Sequence, residues 1–187
     1  MQCWLFDPRK DAPLFSEIQR RPGTLTFERL YAFVVLAHRR RAILHVEVTD
    51  HPTARWLALQ ITEAFAGTKV PDWLVRDNDG AYGHVFRRRL RAMGIRDRPT
   101  KPQSPWQNGH VERLIGSIRR ECLNHFIIIN AAHLRRVLEA YARYYNEDRT
   151  HLALFKDSPH SRPIERDGAI TSRAILGGLH RRYRRKL

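Results

Sequence analysis

The hydrophobic pattern of the chain is hard to read at first and then sharpens. Residues 1 to about 23 follow neither a helical nor a strand period, and Pro22-Gly23 closes them off as a turn. Leu30 to Ala37 (LYAFVVLA) is a continuous β-branched and aromatic run, which suits a strand buried on both faces. Arg39-Arg40-Arg41 reads as a basic hairpin. Ala42 to Thr49 (AILHVEVT) then alternates, with His45 and Glu47 opposite Val46 and Val48. Asp50 with Pro52 signals a helix start, and Leu57, Ile61, Ala64 and Phe65 form an apolar stripe that Gly67 ends. Trp73 to Arg76 is a short strand stopping at Asp77. A second helix places Tyr82, Phe86, Leu90 and Met93 on one face, leaves Arg87, Arg88, Arg89 and Arg91 largely outside, and is capped by Gly94. Ile95 to Thr100 suits a further short strand.

A polar loop, KPQSPWQNGH, leads into a helix with Val111, Leu114, Ile115, Ile118 and Cys122 inside. Asn130 is the N-cap of a last clear helix, whose inner face carries Leu134, Val137, Leu138, Tyr141 and Tyr145. From about Ser161 the chain is a basic tail ending HRRYRRKL. The order strand-strand-helix-strand-helix-strand-helix-helix predicts an α/β fold with a mixed sheet covered by helices.

Charge narrows the class. Lys and Arg total 34 against 19 acids in 187 residues, a net charge of +15. Such a surplus points first to nucleic acid; the bland reading is a solvated, arginine-rich surface. Two cysteines, Cys3 and Cys122, exclude a disulfide framework or a cysteine-rich zinc site. The longest apolar run is too short to span a bilayer, and MQCWLFDPRK lacks the features of a signal peptide. The expectation is a cytoplasmic, nucleoid-associated protein with no membrane partner.

Two acids stand out by context. Asp77 (LVRDNDGAY) sits where a buried strand ends, the place from which a rigid sheet aims side chains into a crevice. Glu112 opens the helix after SPWQNGH, and Arg119 lies two turns further along the same face. Singly, each acid reads as an ordinary strand-end Asp and a Glu favoured by the helix dipole. Together, an acid and a base on one exposed face suit a metal and a DNA phosphate side by side.

With these residues in view the chain resembles a known family. Asp77-Asn-Asp-Gly-Ala-Tyr82 followed by Ser104-Pro-Trp-Gln-Asn-Gly-His-Val-Glu112 is similar to the second and third acids of the retroviral-type integrase core shared by bacterial insertion-sequence DDE transposases. The 34 residues between Asp77 and Glu112 are close to that family's separation. Arg119 falls where the family places a DNA-contacting base. Tyr145-Asn146, Arg149, His151, Leu154 and Pro159 resemble its Y-N-x-x-R-x-H signature. The resemblance covers roughly residues 24 to 163 and implies an RNase H-like fold, a mixed sheet of about five strands with the first strand doubtful here. It divides the chain into an atypical segment, 1–23, a catalytic core, 24–163, and a basic tail, 164–187. It also implies metal-dependent cleavage and strand transfer of DNA, with Asp77 and Glu112 as ligands of Mg²⁺ or Mn²⁺. The nucleic-acid contacts it suggests are Arg119, Arg113, His110 and Trp106, although His110 also reads as a solvated loop residue and Trp106 as a pin between loop and core. DNA is the implied partner, with a second copy or a full-length transposase beside it.

The pattern is broken at its start. The first acid of the triad belongs on the opening strand, near Ile18, where no Asp stands. Glu17 is one residue off and would face the other way; Asp7 follows an apolar triplet but is followed by Pro8; Asp11 has no strand context. The family's N-terminal helix-turn-helix is missing too, so residues 1 to about 20 are expected to come from a truncated or frame-shifted reading frame. Asp79 is an alternative to Asp77, or merely a turn residue before Gly80. Three functions remain: a strand-transfer core, a catalytically dead DNA-binding remnant, and an RNase H-type nuclease, which the SPWQNGHVE loop and the tail signature argue against.

Overall fold

The computed structural model describes residues 2–6 by their backbone and residues 30–101 and 109–186 in full. Five strands build one sheet: β1 (Gln2–Phe6), β2 (Tyr31–Leu36), β3 (Ile43–Thr49), β4 (Trp73–Arg76) and β5 (Arg96–Pro99). Their order is β3-β2-β1-β4-β5. β1, β2 and β3 pair antiparallel, whereas β1–β4 and β4–β5 are parallel. Among the described residues four helices cover the sheet: α1 (Ala54–Ala64), α2 (His84–Ala92), α3 (Gly109–Glu121) and α4 (Ala131–Glu147).

β2 shows why the run at Leu30 to Ala37 reads as buried on both sides. Successive side chains of a strand point to opposite faces. Ala32, Val34 and Leu36 pack against Val111, Leu114 and Ile118 of α3 and Leu134, Leu138 and Tyr141 of α4. Phe33 and Val35 pack on the other face against Leu57 and Ile61 of α1 and Phe86 and Leu90 of α2. Each large side chain buried this completely contributes about 1.5–3 kcal/mol. The result is three layers, with helix pairs on both faces of a mixed sheet.

Helix ends follow local chemistry. The Thr53 hydroxyl accepts from the Trp56 amide at 3.1 Å and starts α1, and Asn130 caps α4 by accepting from the His133 amide at 2.8 Å. Gly94, at φ +74°, ends α2 in a backbone conformation that a side chain would strain. Buried Asn146 of α4 joins the helix layer to the sheet. Its Oδ1 accepts from the Ile43 amide and its Nδ2 donates to the Ile43 carbonyl, both at 2.8 Å.

Two elements differ from the sequence expectation. The sheet opens with β1 at Gln2–Phe6, inside the stretch where no period is visible and well before the position expected for the first acid, near Ile18. β1 is short and sits between two neighbours, and central strands need not alternate. The basic tail is also structured. β6 (Ala169–Ile175) and β7 (His180–Lys186) form a separate antiparallel ribbon. Its turn uses Gly177 and Gly178 at φ +66° and +98°. Among the described residues no helix is long and apolar enough to cross a membrane.

Candidate functional site

Asp77 follows the last residue of β4, at the carboxyl end of the sheet, and is half-buried. Its backbone is fixed by its neighbour. Buried Arg76 makes a two-pronged ion pair with Asp97, at 2.9 Å from both Nε and Nη2. The same guanidinium donates from Nη1 to the Asp77 carbonyl at 2.9 Å and lies 4.8 Å from the centre of the Tyr82 ring. Paired forks of this kind are geometrically stiff. Asp79 Oδ1 accepts from the Ala81 amide at 2.7 Å, closing an Asx turn on an exposed loop.

β1 lies beside Asp77. Its parallel register with β4 matches Gln2 with Val75 and Cys3 with Arg76, so the next residues on the two strands are Trp4 and Asp77. The β1 position level with Asp77 is therefore not a carboxylate. Asp7, Asp11, Glu17 and Ile18 lie outside the described residues, as do Trp106 and the loop 102–108.

α3 packs on β1 and carries the second acid. Val111, Leu114, Ile115 and Ile118 face the core, which turns Glu112 and Arg113 to solvent and leaves Arg119 half-buried. Glu112 stands in the first turn, where the helix dipole favours a carboxylate. His110, two residues earlier, meets His38 edge-on at 4.9 Å between ring centres. Burial foremost, then the charges of Arg41, His38 and Arg113, push the His110 imidazole below its usual 6.5. It is accordingly uncharged near neutral pH within a cationic group. His38 and Arg41 escape sequence reading because only the fold brings the end of β2 to the start of α3. Arg76 escapes it as well, since a buried arginine and a surface one look alike in a string of letters.

The far end of α3 is clamped. Arg149 donates to both carboxylate oxygens of Glu121, with Nε to Oε2 at 2.7 Å, and the Tyr141 hydroxyl donates to Oε2 at 2.9 Å. Burial pushes the Glu121 carboxyl up, but the hydrogen bonds from Arg149 and Tyr141 outweigh it and hold it below its usual value. Arg149 also donates from Nη1 to His151 Nδ1 at 3.2 Å, so that ring carries its proton on Nε2. The Y-N-x-x-R-x-H residues Asn146 and Arg149 thus brace β3 and α3 from behind, and His151 supports Arg149. Arg87, Arg88, Arg89 and Arg91 form an exposed cationic face on α2. Among the described residues no group of three or more His, Cys, Asp or Glu side chains is placed to hold a metal.

The mixed five-stranded sheet with helices on both faces is an RNase H-like fold. Residues 93–159 match the family described as integrase core domain, a stretch that contains Glu112 and the Y-N-x-x-R-x-H signature and begins after Asp77. Over 63 residues the chain is 38% identical to the insertion element IS407 uncharacterized 31.7 kDa protein of Burkholderia multivorans (strain ATCC 17616 / 249). That alignment covers 34% of this chain and only 23% of the relative. Two solved structures share the fold. The simian T-cell lymphotropic virus intasome in complex with PP2A regulatory subunit B56 gamma matches at 15% identity and a TM-score of 0.59, covering 97% of this chain and 65% of that one. The catalytic core domain of BIV integrase matches at 15% identity and 0.56, covering 85% and 90%.

Proposed function

We propose that the chain is the core of a DDE-type transposase that acts on DNA, with Asp77 and Glu112 as its metal-holding carboxylates. The observation that carries this reading is the placement of Asp77. It ends β4 with its backbone locked by Arg76, beside the strand β1 on which the Glu112 helix packs. Arg119, Arg113 and His110 share the α3 segment with Glu112 and would contact the DNA backbone. In kind, the two carboxylates fit a hard divalent cation such as Mg²⁺ or Mn²⁺. In number, they are one short of the three that the resemblance implies.

When bound, such a metal supplies activation of a water or 3′-hydroxyl and charge neutralisation at the scissile phosphate. The protein's share is positioning. Arg76 fixes the carbonyl of Asp77, and the Glu121–Arg149 clamp fixes the helix that presents Glu112. Neutral His110 can accept or donate a hydrogen bond at the site's rim, and Arg119 and Arg113 can neutralise backbone charge. With one carboxylate fewer, metal affinity and turnover should fall well below those of a complete site.

A second reading, a DNA-binding remnant without catalysis, is favoured by the β1 register, which puts Trp4 level with Asp77. Nicking of supercoiled plasmid in Mn²⁺ separates the two, comparing the parent with Asp77→Ala and Glu112→Ala. Nicking that both substitutions abolish supports the catalytic reading. DNA binding without nicking, unchanged by either substitution, supports the remnant.

A further inference from the structure

The ribbon β6–β7 has two unlike faces. Alternate residues of β7 dock onto the core. The His180 ring stacks on Tyr144 at 4.0 Å and 8°, and its Nε2 donates to the Glu121 carbonyl at 2.8 Å. Arg182 pairs with Glu147 at 2.8 Å and Asp148 at 3.0 Å. The intervening residues, Arg181, Tyr183 and Arg185, therefore face away from the core. Tyr183 is 60% exposed and sits opposite Ser172 in the ribbon register, flanked on its own face by two arginines.

This outer face borders a cleft of about 540 Å³ between the ribbon and the segment 156–165. Lys156, Arg162 and Arg185 bring cations to its wall, while Tyr183 and the exposed Ile170 bring flat and apolar surface. Two acids also line it, and both are engaged. Asp157 binds Arg40 and Ser161, and Glu165 accepts from the Arg185 amide at 2.7 Å. From residue 162 onward eight basic residues face two acidic ones, so the whole element is complementary to a polyanion. The volume lies within the range of small-ligand sites and suits one unstacked nucleotide. An exposed aromatic flanked by arginines, over a cationic cleft, is the arrangement that holds single-stranded nucleic acid by stacking.

We propose that this cleft binds an unpaired nucleotide of a DNA strand, with the base stacked on Tyr183 and the flanking phosphates held by Arg162, Arg185 and Lys156. The proposal rests on DNA being the partner and adds a strand-specific contact to it. The ribbon is anchored at Glu121, nine residues along α3 from Glu112, about 13.5 Å or roughly four nucleotide steps along one strand.

The test is titration of the full chain with a short oligo-dT carrying one 2-aminopurine, and with a blunt duplex of equal length. Tyr183→Ala and Tyr183→Phe are compared with the parent after matching their circular dichroism. The expected result is quenching of 2-aminopurine by the parent and by Tyr183→Phe. Tyr183→Ala should lose single-strand affinity by about 5- to 150-fold, the worth of one base–aromatic stack, with duplex affinity little changed. Equal single-strand binding by Tyr183→Ala and parent, or equal losses on single strand and duplex, overturns the proposal. A parent that binds duplex but not single strands overturns it while leaving the transposase reading intact. A parent that binds no DNA removes both.

Discussion

Arg76 concentrates three tasks in one buried guanidinium: it pairs β4 with β5 through Asp97, holds the Asp77 carbonyl and covers the Tyr82 ring. Removing it strands a largely buried carboxylate, a change that typically costs about 3–5 kcal/mol. Arg76→Ala should therefore lower the urea midpoint sharply at an unchanged m-value. Arg76→Lys keeps the charge but not the fork, and should recover only part of the loss. A midpoint within error of the parent for Arg76→Ala would show that Asp97 finds another partner. At this scale the sequence was half legible. Asp77 and Glu112 stand out because strand-end and helix-start positions are visible in the pattern. The Y-N-x-x-R-x-H residues are visible as a motif, but their work is not: Asn146 and Arg149 touch the backs of β3 and α3, contacts that span up to 103 residues, and His151 supports Arg149. His110 was legible, whereas its neighbours His38 and Arg41 were not, since nothing local links them.

Apart from β1, elements with an apolar face could be read, and the ribbon held by charge could not. β2, β3, β4 and all four helices lie where hydrophobic periodicity places them, because each buries one or two faces in the two core clusters. β7 has no apolar face to announce it. Its docking side is His180 and Arg182, whose partners are a carbonyl, a stacked tyrosine and two carboxylates. Arg182→Ala should consequently loosen the ribbon and spare the core. Amide exchange in β6 and β7 should quicken by roughly tenfold or more, while protection of β2 and α4 stays as in the parent. Uniform loss of protection across the chain would instead make the ribbon part of the global folding unit.

The whole molecule carries +15, with an exposed arginine face on α2 and a basic ribbon beyond α4. If six or more of these cations meet phosphates, affinity for any duplex should fall by about 10³-fold or more between 50 and 200 mM salt. Fluorescence anisotropy at several salt concentrations measures the slope, and a flat response would assign the charge to the solvated surface alone. Long separation in sequence has another effect at this scale. β3 is an edge strand, and the amide of Asn146 occupies the Ile43 backbone as a neighbouring strand would. During synthesis at about 5–20 residues per second, roughly 5 to 20 s pass between the emergence of Ile43 and that of Asn146. Through that interval the edge is open to the same edge on the next nascent chain of a polysome, a template for association rather than folding. Expression yield should thus depend less on how stable the finished protein is than on how quickly translation delivers the start of its final quarter.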